Sequence, residues 1–295
     1  MHRYLRAIGF SRLKNRTQVN ELLAYIIRNA DEKKYTSIDD TDVMFSEYSK
    51  EFADQIGITV RGEYNEDNQF VFDYYFPYSR GTQISSYEDI SIERHAEKES
   101  YAGICDDIKV GVSLIFYLQN VISYLKIRNA GRLPIKGTSL SLSGLSVDGM
   151  ILLPIEKNEK DRKKIKQESV NRSRLIAAAR HGDEEAMESL TLEDIDTYTN
   201  ISRKILKQDV FTLVDTYFMP YGVECDQYSV LGEIVSFEYL QNGMTKEKIC
   251  KMTLNCNDLY FDVIINAKDL IGEPQIGRRF KGVIWMQGMI NFPES

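Results

Sequence analysis

The sequence predicts an α+β protein: an N-terminal mixed sheet with helices, then a short helical segment and a C-terminal small antiparallel β-barrel that is OB-like. Three observations carry this. Apolar residues fall at helical spacing near the start of the chain and again after residue 169. Alternating apolar runs dominate residues 56–78 and 228–292. A stretch dominated by charge, residues 156–168, separates the two halves. The boundaries expected are 1–155 for an N-terminal α+β domain, 156–168 for a charged linker or helix, and 169–295 for a second unit, with helices in 169–208 and strands in 228–292.

The first helix is expected over residues 17–30. Val19, Leu22, Leu23, Ile26 and Ile27 make one apolar stripe, and Thr17 is placed to cap it. Ile56–Tyr64 and Phe70–Tyr78 flank the turn-forming cluster Asn65-Glu66-Asp67-Asn68, the pattern of a hairpin. In its second strand Phe70, Phe72, Tyr74, Phe76 and Tyr78 share a face. That face reads either as core under the first helix or as an aromatic platform for stacking a ligand. Val110–Leu118 alternates as a buried strand, and a short helix over 120–129 ends at Gly131. Leu140–Leu145 and Met150–Ile155 are expected to pair across Asp148-Gly149.

Residues 169–208 read as two or three short helices. Leu175, Ile176 and Ala179 form a stripe that stops at Gly182, and Asp183 caps the next helix. Thr191-Leu-Glu-Asp194 resembles a capping box opening a helix with Ile195, Tyr198 and Ile201 inward. From Tyr228 onward the spacing turns to strands. Asn242-Gly243 and Asn257-Asp258 divide three runs, and a loop through Gly272, Pro274 and Gly277 leads to a fourth containing Phe280, Ile284 and Met286.

Composition bounds the function. Of 295 residues, 43% are apolar and 11% aromatic, enough for a packed core, so disorder is excluded for most of the chain. A net charge of −7 argues against general nucleic-acid binding. The charge is uneven: residues 31–107 hold 7 basic and 19 acidic side chains, and residues 109–180 hold 14 basic and 5 acidic ones. Two readings stand, a basic groove for an anionic ligand, or two blocks that neutralise each other in the fold. Cys105, Cys225, Cys250 and Cys256 show no paired spacing and read as small buried hydrophobes in a reducing compartment. The N-terminus carries no apolar run of signal-peptide length, and Val110–Leu125 is broken by polar residues. The expectation is a cytoplasmic protein with no membrane span.

Standard catalytic patterns fail at named places. The phosphate loop, the dinucleotide fingerprint, the zinc-protease helix and the nucleophile elbow are absent. His2, His95 and His181 lack ligand partners at helical or hairpin spacing. Gly137-Thr138 with Ser146-Val147-Asp148 faintly resembles a nucleotidyltransferase loop and acidic strand, but Met150 stands where the second metal-binding carboxylate belongs. No metal centre and no cofactor are expected. The candidate ligand face is on the last strand, where Arg279, Lys281, Val283 and Trp285 alternate next to Arg278. OB-type barrels use basic and aromatic residues on such a face, so Arg278, Arg279, Lys281 and Trp285 are the candidate binding residues.

Four segments carry a resemblance. They are Met1-His-Arg-Tyr-Leu-Arg-Ala-Ile-Gly-Phe10, Ala177-Ala-Ala-Arg-His-Gly-Asp-Glu-Glu-Ala186, Val223-Glu-Cys-Asp-Gln-Tyr-Ser-Val-Leu-Gly-Glu-Ile234 and Gly277-Arg-Arg-Phe-Lys-Gly282. Together they resemble the bacterial family called domain of unknown function 3881, of anaerobic Firmicutes. The resemblance covers nearly the whole chain. It implies a bacterial cytosolic protein and brings no site residue with it. The expected function is a non-enzymatic binding or regulatory protein, with a protein or an anionic ligand as partner. The alternative is an enzyme with an interdomain site using Glu224, Asp226 and Arg278 or Arg279.

Overall fold

The computed structural model describes residues 1–37, 44–65, 67–94, 100–107, 112–133, 136–155, 167, 170–172, 174–179, 181–192, 211, 214–223 and 225–293. The architecture is α+β with strands predominating. A four-stranded antiparallel meander comes first: β1 (Glu32–Ser37), β2 (Met44–Ala53), β3 (Ile56–Tyr64) and β4 (Phe70–Ser79), paired in that order. A ten-stranded sheet follows, with β5 (Ile90–Arg94), β6 (Tyr101–Cys105), β7 (Leu114–Leu118), β8 (Ser139–Leu152), β9 (Tyr217–Pro220), β10 (Gln227–Gln241), β11 (Lys248–Cys256), β12 (Leu259–Asn266), β13 (Leu270–Ile271) and β14 (Arg279–Asn291). The helices α1 (Arg16–Arg28) and α2 (Val121–Asn129) accompany them, and among the described residues 174–179 and 184–192 are helical too. Among the described residues, no helix is long and apolar enough to cross a membrane.

The large sheet has a ring of pairings within it. β8 pairs with β12, β12 with β11, β11 with β10, β10 with β14, and β14 with β8 again. β8 precedes residues 156–168 and the other ring strands follow them. The two units expected from sequence therefore share one sheet. Residues 156–168 themselves lie outside the described residues, apart from Gln167.

Successive residues on the ring strands enter different cores. Cys250, Met252, Val263, Ile265, Ile284 and Met286 belong to one buried cluster. Their neighbours Ile249, Ile264 and Trp285 belong to a second, shared with Leu22, Leu23 and Ile26 of α1 and with Ile56, Ile58 and Val60 of β3. Both faces of these strands are covered, and so their sequences run nearly continuously apolar.

Local expectations fare unevenly. The β3–β4 hairpin forms. Asn257 and Asp258 both take positive φ (55° and 63°), as a primed two-residue turn requires. Gly182 has φ +86°, and the Asp183 carboxylate accepts the Ala186 N–H at 3.1 Å, closing one helix and opening the next. The helix expected after Thr191 falls on residues 193–210, outside the described residues. The cap of α1 is the Asn15 side chain, which accepts the Gln18 N–H, instead of Thr17. The hairpin at Asp148-Gly149 does not form. β8 runs straight through it, laddered against β14 from Ser139↔Asn291 to Leu152↔Arg279. Gly149 serves close packing there, since a Cβ would lie 2.4 Å from the Phe280 ring. The aromatic face of β4 also splits. A register shift opposite Arg61/Gly62 leaves Phe72 45% exposed while Phe76 and Tyr78 are buried.

Candidate functional site

β14 alternates Arg279, Lys281 and Trp285 with buried Phe280 and Ile284, which belong to a different core cluster from Trp285. The Arg279 side is partly covered: Arg279 and Trp285 are buried, Lys281 and Val283 half-buried. Arg279 is 5% exposed. Its guanidinium donates to the carbonyl oxygens of Leu153 (2.9 Å), Phe211 (2.8 Å) and Val214 (2.8 Å). A guanidinium has donors only, and these carbonyl oxygens are its acceptors. Burial holds its pKa below the usual arginine value, and Asp215 opposes that. The Lys281 ammonium lies 4.6 Å from the centre of the Phe211 ring. Trp285 donates its indole N–H to Asp226 at 2.7 Å, stacks on Tyr4 at 5.4 Å, and touches His2 at 4.8 Å. Arg278 donates to the Glu273 carbonyl at 3.0 Å. All four predicted binding residues thus make contacts within the chain, with Arg279 and Trp285 buried and Arg278 and Lys281 half-buried. In the alternative set, Asp226 serves Trp285, Arg279 serves carbonyls, and Glu224 lies outside the described residues.

The buried carboxylates are similarly committed. Among the described residues these are Glu47, Asp107, Glu247 and Asp262. Asp107 accepts from Ser86 Oγ at 2.6 Å. Glu247 accepts from Ser11 Oγ at 2.8 Å and Asn266 Nδ2 at 2.7 Å. Asp262 accepts from Thr82 Oγ1 at 2.7 Å and Thr253 Oγ1 at 2.8 Å. Glu47 accepts from Arg61 Nε at 2.5 Å. Arg61 is fully buried on β3. It also donates to the hydroxyls of Tyr74 (2.6 Å) and Tyr117 (3.0 Å) and to the Gln119 carbonyl (2.9 Å), with the Phe76 ring 4.6 Å away. Three of the four thiols are buried. Cys105 is pushed up to about 11 by burial and Cys250 and Cys256 to about 12, while Cys225 is exposed, against expectation.

A polar cleft of 340 Å³ remains at the end of the small sheet, lined by Asp31, Glu32, Ser49, Glu51, Tyr78 and Arg80. Its geometry follows from strand register. Glu51, Gly57 and Tyr78 stand opposite one another across β2, β3 and β4. Cross-strand partners share a face, and the missing side chain at Gly57 gives the Tyr78 ring its room. A Cβ there would lie 2.6 Å from the tyrosine oxygen. Arg80 bridges Glu32 and Glu51 at 3.1 Å each and lies 5.3 Å from the Tyr78 ring centre. Asp31 accepts from the Glu51 N–H at 2.8 Å and from Lys50 at 3.0 Å, and these bonds hold its pKa low. The Tyr78 hydroxyl is buried, with no hydrogen-bond partner among the described residues. Burial raises its pKa; Arg80 opposes this and the carboxylates add to it.

A family model described as "Domain of unknown function, E. rectale Gene description (DUF3881)" matches residues 5–288. The chain belongs to the DUF3881 family. The DUF3881 match takes in both sheets, the cleft and most of β14, in agreement with the resemblance read from the four sequence segments. No curated protein and no solved structure matches the chain.

Sequence reasoning missed the cleft in this DUF3881 chain because its residues come from three strands and two strand ends. One local signal existed. Gly57 interrupts the apolar run Ile56–Val60, and a glycine inside a strand marks a close approach.

Proposed function

We propose that this DUF3881 protein is a non-catalytic binding protein of regulatory type, and that it takes a small ligand in the cleft beside Arg80. The observation that carries the reading is the Tyr78 hydroxyl. A buried polar group without a partner costs about 1–3 kcal/mol, and a ligand atom supplies the missing bond. Non-catalytic action is supported by the buried carboxylates, each held by fixed donors. The ring of strands supports reading that part as a small OB-like barrel, with β8 joining the strands from residue 227 onward. Free thiols and the bacterial family description fit a bacterial cytosolic location.

A thermal-shift screen of small metabolites tests the proposal, run in parallel on wild type and Tyr78→Phe. A compound that raises Tm in wild type alone and is recovered chemically unchanged supports it. Conversion of the compound to product, or equal shifts in both proteins, overturns it.

A further inference from the structure

The ion pairs already present around the cleft restrict what it accepts, and the inference drawn from them rests on the binding role just proposed. Lys50 pairs with Asp31 at 3.0 Å, Lys34 with Glu32 at 2.8 Å, and Arg80 with both Glu32 and Glu51. Three carboxylates and three cations sum to zero charge. An ionic ligand of either sign finds no free counter-charge and would have to displace one of these bridges. A neutral ligand leaves them standing. Hydrogen-bonding capacity of both kinds is left over. The bridge from Arg80 to Glu51 uses Oε1, and among the described residues no bond reaches Oε2. Arg80 spends one N–H on Glu51 and one on Glu32, out of the five a guanidinium carries. The Tyr78 hydroxyl has no partner among the described residues and keeps its proton at neutral pH. No aliphatic side chain lines the cleft, so an apolar ligand gains nothing there.

We propose that the cleft binds a small uncharged polyhydroxy compound, a polyol or monosaccharide, whose hydroxyls donate to Glu51, accept from Arg80 and meet the Tyr78 hydroxyl. A hydroxyl is a donor and an acceptor at once. Neighbouring hydroxyls on one molecule therefore satisfy a carboxylate, a guanidinium and a phenol together, with no ion pair broken and no charge added. The cleft volume of 340 Å³ is near the lower end of the range for small-molecule sites, about 300–1,000 Å³.

Isothermal titration calorimetry tests this with glycerol, ribose, glucose and myo-inositol as neutral probes, and with succinate and putrescine as charged ones, all at one ionic strength. The expected result is saturable one-site binding of at least one neutral probe, weakened about tenfold in Tyr78→Phe, and weaker binding or none for both charged probes. Tyr78→Phe removes no hydrogen bond seen in the fold and keeps the ring beside Arg80, so a folded variant is expected. Binding of succinate or putrescine at least as tight as that of every neutral probe, and weakened by Tyr78→Phe, overturns the polyhydroxy assignment while the binding role stands. If no probe binds in a way that Tyr78→Phe weakens, the assignment and the cleft fall together.

Discussion

Arg61→Met removes a cation that four polar groups depend on. The Arg61 side chain is 0% exposed and that of Glu47 is 6% exposed. The substitution leaves the Glu47 carboxylate buried without its partner, and the hydroxyls of Tyr74 and Tyr117 and the Gln119 carbonyl each lose a donor. Four rings, those of Phe45, Tyr74, Phe76 and Tyr117, lose the charge near their faces. Breaking a buried pair from one side costs about 3–5 kcal/mol, because the remaining charge is uncompensated. Replacing both charges by apolar groups of similar size removes that penalty, so Arg61→Met with Glu47→Leu is expected to recover most of the loss. Equilibrium urea unfolding of the three proteins, followed by far-UV circular dichroism, gives the numbers. A loss below about 1 kcal/mol in the single variant, or a double variant no more stable than the single, would refute the reasoning.

Two further outcomes follow from the partly covered face of β14. Arg279→Ala is expected to cost about 1.5–3 kcal/mol, the range for charge-assisted hydrogen bonds, and to raise hydrogen exchange in 211–215 ahead of the sheet; unchanged exchange there contradicts the clamp. His2 packs on Trp285, the single tryptophan, and on the rings of Tyr4 and Tyr75. Burial first, and then the N-terminal ammonium, lowers its pKa from 6.5 to about 4. A lowered histidine value means that folding favours the neutral ring, so its docking is fully stabilising above about pH 6.5 and that stability is lost as pH falls through about 4. Trp285 emission should shift to the red over that window in wild type and stay flat in His2→Phe; identical titrations would show that His2 is not the titrating group.

What was legible in the sequence was local. The apolar stripe of α1, the Asn257-Asp258 turn, the Gly182 stop with the Asp183 cap, and the single-face alternation of β14 each depend on near neighbours. What was not legible depends on partners far along the chain. Gly149 serves a turn or a close approach equally well on paper, and only Phe280, from β14, decides between them. Arg279 looks like a ligand-binding cation until Leu153 and Phe211 fold over it. The alternation of β4 held only as far as the register shift at Asp73, so Phe72 and Tyr78 were assigned to one face and lie in different surroundings. The cleft was hidden for the same reason. Glu51 and Tyr78 are distant in sequence, and Gly57, the residue that brings them into one row, contributes no side chain.

The most direct test of the central claim is a crystal structure of the protein with the compound selected by the thermal-shift screen. The expected result places a ligand polar atom within about 3.2 Å of the Tyr78 hydroxyl, with the ligand in the cleft beside Arg80. Ligand density elsewhere, with the Tyr78 hydroxyl still without a partner, would contradict it.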